Sequence, residues 1–92
     1  MPIWNVDVEI ARALTREERS GLFEAIEKDA RSPLDGYVGD LRKEREAAWI
    51  SVEAASPTDA AEVAQALIGD GLNSIGVEAD LRVTEVLPAT RN

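Results

Sequence analysis

Apolar and polar residues alternate in several segments of this 92-residue chain, and this alternation limits its fold more than any other feature of the sequence. In the first segment, Trp4, Val6 and Val8 fall on one side of an extended chain, and Asn5 and Asp7 fall on the other. A period of two is typical of a strand with one buried face. The pattern predicts four strands, over residues 3–10, 37–42, 46–54 and 77–86.

The first helix is predicted between the first two strands, where apolar residues follow the three- and four-residue spacing of an amphipathic helix. Thr15 and Glu18 have the spacing of a capping box, in which each side chain accepts a hydrogen bond from the other residue's backbone N–H. Ser32-Pro33 is expected to stop the helix, because the residue before a proline avoids helical dihedral angles. The predicted helix covers residues 16–31.

A second helix is predicted after the third strand, with the same amphipathic spacing. Ser56 is a favourable N-cap, and Pro57 suits the first helical position, where a missing N–H breaks no helical hydrogen bond. Gly69 and Gly71 are expected to end this helix, because glycine is favoured just beyond helix C-termini.

The order strand, helix, strand, strand, helix, strand resembles the ferredoxin-like fold, and the resemblance covers nearly the whole chain. It implies an α+β sandwich (βαββαβ) with a four-stranded antiparallel sheet in the order 4-1-3-2 and both helices on one face. Residues 1–87 are expected to form this single domain, and residues 88–92 a flexible C-terminal tail. Because this fold carries many unrelated functions, the resemblance assigns no activity.

The chain is acidic and lacks two chemically versatile residue types. It has 18 acidic and 10 basic residues, a net charge of −8 at pH 7, no cysteine and no histidine. The charge disfavours nucleic acid and anionic lipid as partners. The missing residue types exclude disulfides, thiol or imidazole catalysis, and metal sites built on sulfur or nitrogen ligands. No cofactor, metal-binding residue or catalytic residue is predicted.

The expected compartment is the cytoplasm. No apolar run is long enough to cross a bilayer, and the start of the chain lacks the basic and apolar regions of a signal peptide. Alanine is common and lysine is confined to Lys28 and Lys43, which is typical of a GC-rich bacterial genome.

One face of the predicted sheet points away from the helices and is mostly polar, which favours a solvated face. Trp49 is the exception, because a tryptophan exposed on a sheet is typical of a protein contact site. We therefore predict a non-enzymatic protein-interaction module that uses this face to bind proteins, including its own copies in a dimer. The interaction residues are Asn5, Asp7, Glu9, Asp40, Trp49, Ser51 and Glu53, and the edge strands are expected to add Val38, Arg42, Glu78, Asp80, Arg82 and Thr84.

Two alternatives remain open. A dimer that encloses a cavity at this face or between its subunits would bind a small molecule there, or use clustered carboxylates as acid and base. The acidic charge also fits a decoy that sequesters a basic partner. Residues 69–76 are glycine-rich like a phosphate loop, but they follow a helix instead of preceding one, so a helix end and a turn is the preferred interpretation.

Overall fold

The computed structural model describes residues 2–29, 37–39 and 46–89 of the chain. Within these residues, strands and helices follow one another in the predicted order, and the α+β class is confirmed. The elements are β1 Ile3–Ile10, α1 Arg16–Lys28, β2 Tyr37–Gly39, β3 Glu46–Glu53, α2 Pro57–Ser74 and β4 Leu81–Pro88.

The sheet is smaller than the predicted one. Its body is three-stranded and antiparallel, with β1 in the middle and β3 and β4 on either side, each strand eight residues long. β2 contributes only three residues, which are hydrogen-bonded to the remaining edge of β3 and give the order β2-β3-β1-β4. Residues 40–42, predicted to complete this strand, lie outside the described residues.

The predicted ferredoxin-like sandwich with a full four-stranded sheet is therefore corrected to an α+β fold built on a three-stranded antiparallel sheet and two helices. The shortness of the β2 ladder has a physical reason in the sequence. Gly39 has no side chain to pack, and glycine weakens a strand.

The core lies between the sheet and the two helices. α2 packs across β3, β1 and β4, and α1 packs against α2 and β2. The alternation predicted for β1 and β3 is confirmed, because their helix-facing side chains are buried in this core. The largest fully buried side chains are Leu22, Ile26, Ile50, Leu67, Ile68, Leu72, Val6, Val8 and Val52.

α2 continues past its predicted end, so the expected stop at Gly69 and Gly71 is wrong. A Cβ atom at Gly71 would lie 2.7 Å from Leu22 Cδ1, so this glycine allows α1 and α2 to approach each other closely. The helix ends at Ser74. Gly76, with a φ of 76°, occupies the left-handed conformation that follows the helix.

β4 begins at Leu81, four residues later than predicted, because the end of α2 and the end of β1 bind the intervening residues. Val77 N–H donates a 2.9 Å hydrogen bond to Leu72 O, which ties Val77 to the C-terminus of α2. Asp80 O accepts a 2.9 Å hydrogen bond from Ala11 N–H, and the strand starts from there.

β4 also runs further than predicted at its other end. It includes Pro88, and Ala89 N–H still donates a 2.9 Å hydrogen bond to Ile3 O. Residues 90–92 of the predicted tail and residues 30–31 of the predicted first helix lie outside the described residues.

Candidate functional site

The candidate site is the outer face of the sheet, which we define as the side of β1, β3 and β4 turned away from the helices. The register of the three strands arranges its side chains in rows. Trp49 of β3 lies opposite Asp7 of β1, and Asp7 lies opposite Glu85 of β4. The members of the outer face are Ile3, Asn5, Asp7, Glu9, Ala47, Trp49, Ser51, Glu53, Arg82, Glu85 and Leu87.

Six of the seven predicted interaction residues lie together on two neighbouring strands of the outer face. Asp40 lies outside the described residues. Glu78 and Asp80, also expected on this face, precede β4 and lie beside the end of α2 instead. The six residues that the register brings together are Asn5, Asp7, Glu9, Trp49, Ser51 and Glu53.

A β-bulge in β4 decides which of its side chains lie on the outer face. The register between β1 and β4 shifts between Asp7 and Val8, which leaves Thr84 as the extra residue. Thr84 Oγ1 donates a 3.3 Å hydrogen bond to Asp7 O. Beyond the bulge, Leu87 lies on the outer face opposite Asn5. The sequence did not predict Leu87, because no local pattern marks the bulge.

The centre of the outer face is buried, so the expected solvated face is only partly correct. Ala47 is fully buried, Ser51 is 2% exposed and Asp7 is 9% exposed. Ser51 Oγ donates a 2.8 Å hydrogen bond to Asn5 Oδ1, which joins β3 and β1 across this face.

Trp49 and Leu87 are exposed large hydrophobic side chains, and both lie on the outer face. Trp49 is 36% exposed and Leu87 is 49% exposed. Trp49 and Leu87 lie on the two strands that flank β1, and they are offset by two residues along the strand direction. Their Cα atoms are therefore about 12 Å apart. This separation is short enough for one partner to contact both side chains.

Charged side chains surround this apolar pair, and most of them are acidic. Glu53 of β3 and Glu85 of β4 are exposed. Glu9 lies 3.7 Å from Arg82, whose side chain is 75% exposed. Arg82 is the only basic side chain among the outer-face members defined above, so this part of the surface carries net negative charge and attracts basic groups.

A second charged site lies on the helix side of the sheet, where sequence periodicity does not reveal it. Glu46, the first residue of β3, is 5% exposed. Its carboxylate accepts hydrogen bonds from Arg19 Nε and Nη2, both 2.8 Å, and from Leu14 N–H at 3.0 Å. The donors are distant in sequence, so no local motif predicts them. Because they engage both carboxylate oxygens, we interpret Glu46 as an anchor for α1 rather than as an acid or base.

The predicted capping box at the start of α1 is confirmed. Thr15 Oγ1 accepts a 3.1 Å hydrogen bond from Glu18 N–H, and Glu18 Oε1 accepts a 2.8 Å hydrogen bond from Thr15 N–H. The hydrogen bond from the Thr15 backbone lowers the pKa of the Glu18 carboxyl below its usual value, and the guanidinium of Arg12, 3.2 Å away, adds to this effect.

Two open grooves lie beside the C-terminal half of α2. The first, of about 640 Å³, lies between the end of β1 and α2 and contains Arg12. The second, of about 690 Å³, lies between α2 and the start of β4. Arg12 is bound to Glu18, and a ligand in such an open groove keeps much of its hydration, so neither groove favours a small-molecule site.

Comparisons of the chain with protein-family models, with curated proteins and with solved structures find no match. Within the described residues, no helix has the length and apolar character needed to cross a membrane. The same part of the chain contains no group of three or more histidine, cysteine, aspartate or glutamate side chains that could hold a metal ion. Functional inference therefore rests on the geometry of the outer face.

Proposed function

We propose that this chain is a protein-interaction module whose outer face binds a basic segment of another protein. The single observation that supports this function is that Trp49 and Leu87, two exposed large hydrophobic side chains, lie on the same face. Apolar surface is more stable out of water, and tryptophan is enriched among the residues that dominate binding energy at interfaces. Both side chains leave water when the partner binds.

The strands beneath these side chains support binding because they are already ordered. Trp49 lies in β3, which is paired with β1 on one side and with β2 on the other. The hydrogen bond between Ser51 and Asn5 lies between Trp49 and Leu87 on the same face. A surface that is ordered before binding loses little conformational entropy when the partner arrives.

The charge of the outer face favours a basic partner over a second copy of the chain. Glu85 is exposed next to Leu87 on β4, Glu53 is exposed at the end of β3 on the same face, and the whole chain carries a net charge of −8. A partner that places Lys or Arg around an apolar residue gains from this charge and is steered towards the face. Two copies that met face to face would bring like charges together, which costs free energy.

Selection from a random displayed-peptide library against the immobilised full chain tests this function. We expect the selected peptides to combine Lys or Arg with an aromatic or aliphatic residue. Trp49→Ala and Leu87→Ser should each weaken binding of the selected peptide by about tenfold or more, which corresponds to roughly 1.4 kcal/mol. Isothermal titration calorimetry measures the change, and thermal unfolding confirms that each variant is folded.

Two matched charge variants separate the outer face from the net charge of the chain. Glu53→Gln with Glu85→Gln removes two exposed charges from the face, and Glu24→Gln with Glu27→Gln removes two exposed charges from α1. The first pair should weaken peptide binding and the second should leave it nearly unchanged. The proposed function is wrong if both pairs act alike, or if the peptides bind the Trp49→Ala variant as tightly as the unsubstituted chain.

A further inference from the structure

We propose that the free edge of β4 pairs with β4 of a second copy of the chain, antiparallel and about a two-fold axis, so that two sheets join into one. This inference goes beyond the binding function of the outer face and leaves Trp49 exposed. Among the described residues, β4 is paired with β1 alone, and residues 81–87 lie along its other edge. The backbone N–H and C=O groups along such an edge favour pairing with another strand.

The side chains along this edge are incompletely covered by α2. Leu81, Val83 and Val86 pack against the core but are only half-buried, whereas Val6 and Val8 on neighbouring β1 are fully buried. The helix-side surface of β4 therefore keeps apolar area in contact with water, which a second copy placed beside this strand would cover.

The groove of about 690 Å³ between α2 and β4 lies next to this strip. Leu81 and Ala66 line the groove together with the polar side chains of Glu62, Gln65 and Asp80. Pairing at the β4 edge places the second copy alongside this groove. It therefore buries apolar surface in addition to forming backbone hydrogen bonds, which is the combination that stabilises strand addition.

Two hydrogen bonds show which backbone groups face the free edge. Ala11 N–H donates to Asp80 O, and Ala89 N–H donates to Ile3 O, so Asp80 and Ala89 direct their backbone groups towards β1. Successive residues of a strand direct these groups to opposite edges. When residues are counted from both ends towards the bulge, those within residues 81–87 that face the free edge are Leu81, Val83 and Val86.

The bulge makes this edge self-complementary. Leu81 and Val86 are five residues apart, and in a regular strand they would face opposite edges and opposite sides of the sheet. Because the extra residue Thr84 lies between them, both face the free edge and both point to the helices. A two-fold axis between Val83 and Thr84 sets Leu81 opposite Val86 of the second copy as a hydrogen-bonded pair.

The same register brings opposite charges together on the outer side of the joined sheet. Arg82 lies opposite Glu85 of the second copy, and the two-fold axis forms this ion pair twice. The Arg82 side chain is 75% exposed, so it is accessible to the second copy although Glu9 lies 3.7 Å away. A register shifted by two residues also aligns the side-chain faces, but it sets Arg82 opposite Leu87 and forms no ion pair, so the first register is favoured over it.

Charge reversal tests the pairing in solution. Sedimentation velocity of the full chain over a series of concentrations should show a monomer–dimer equilibrium. Arg82→Glu and Glu85→Arg should each raise the dimer dissociation constant by about tenfold or more, because each replaces two ion pairs by two repulsions. The double variant restores both ion pairs with reversed polarity, so its dissociation constant should return to within about threefold of the unsubstituted value.

Disulfide trapping tests the register, and the chain is suited to it because it contains no cysteine. An equimolar mixture of the Arg82→Cys and Glu85→Cys variants should form a mixed disulfide under oxidising conditions, since the two positions are directly opposite. Each variant alone should cross-link much less, because equivalent residues of the two copies are offset along the strand. A single variant that cross-links as well as the mixture would overturn this register.

The remaining outcomes also decide the proposal. A chain that stays monomeric at every accessible concentration overturns it, and so does a double charge reversal that fails to recover while thermal unfolding shows a folded protein. Trp49→Ala should leave the dimer unchanged, which keeps this test separate from peptide binding. If Trp49→Ala abolishes the dimer and the charge reversals do not, the copies meet through the outer face and pairing at β4 is wrong.

Discussion

Arg19 and Glu46 form a two-point ion pair that joins α1 to the first residue of β3. Nε and Nη2 of Arg19 each lie 2.8 Å from a different carboxylate oxygen of Glu46, and Leu14 N–H donates a third hydrogen bond to the same carboxylate. The Glu46 side chain is 2% exposed and that of Arg19 is 40% exposed. The carboxylate is therefore nearly dry, and its charge depends on these donors for compensation.

We expect Arg19→Met to lower the free energy of unfolding by about 2–4 kcal/mol, because it removes two hydrogen bonds and a positive charge from a buried carboxylate. Urea unfolding measures this change. Adding Glu46→Leu to the first substitution should recover part of the loss, since a buried ion pair replaced by apolar groups is often close to neutral. A double variant less stable than Arg19→Met alone would contradict this interpretation.

Two glycines of α2 form a matched pair for testing how closely the helices pack. A Cβ atom at Gly71 would lie 2.7 Å from Leu22 Cδ1, whereas a Cβ atom at Gly69 would lie 3.8 Å from Leu81 Cδ1, an ordinary contact. Gly69→Ala should raise the free energy of unfolding by about 0.5–1 kcal/mol through helix propensity. Gly71→Ala should lower it by about 1 kcal/mol, because overpacking outweighs the same gain. Equal effects in urea unfolding would contradict the close approach of α1 and α2.

The capping box predicts a pH-dependent contribution of Glu18 to stability. The pKa of Glu18 is lowered in the folded chain, so its contribution is complete above the unfolded-state pKa and is lost as the pH falls through the folded-state pKa. At neutral pH, Glu18→Gln should therefore have a lower Tm than the unsubstituted chain. This difference should close as the pH falls through the folded-state pKa of Glu18, which lies below its usual value. Differential scanning calorimetry across pH checks the trend, and a difference that stays constant down to acid pH would disagree with it.

The two tryptophans should report different environments. Trp4 Nε1 donates a 2.9 Å hydrogen bond to Ala54 O and its ring packs against the core, whereas Trp49 is 36% exposed on the outer face. Trp4→Phe leaves Trp49 as the emitter, and Trp49→Phe leaves Trp4. Fluorescence from the first variant should lie at longer wavelength and be quenched more strongly by acrylamide. The reverse order would contradict the assignment of the outer face.

Local sequence patterns predict the start of each helix and the faces of β1 and β3. Thr15 and Ser56 cap their helices through side chains that act within one turn, so the signal is contained in a few residues. The alternation through Val6 and Ile50 has a period that a strand must obey, so those side chains reach the core as expected. In both cases the residues that determine the structure lie close in sequence to the residues whose structure they determine.

The features that the sequence did not predict depend on distant contacts. Gly71 is needed inside α2 because Leu22 of another helix packs closely against it, and the sequence around Gly71 does not show this contact. Leu87 reaches the outer face because the bulge at Thr84 shifts β4 against β1, and alternation alone carries no sign of an extra residue. The Arg19–Glu46 pair joins residues 27 positions apart, and charged residues at element ends are too common to indicate a specific partner.

The two helices differ in how many strands they contact, so α2 should be held more firmly against the sheet than α1. α2 spans three strands, whereas α1 contacts α2 and β2 and is anchored to β3 through Glu46. The structure should therefore open locally by movement of α1 away from the sheet. Amide protons of α1 should then exchange with deuterium sooner than those of α2. Such an excursion would uncover Leu22 on one side of the sheet while Trp49 and Leu87, on the other, keep their spacing throughout.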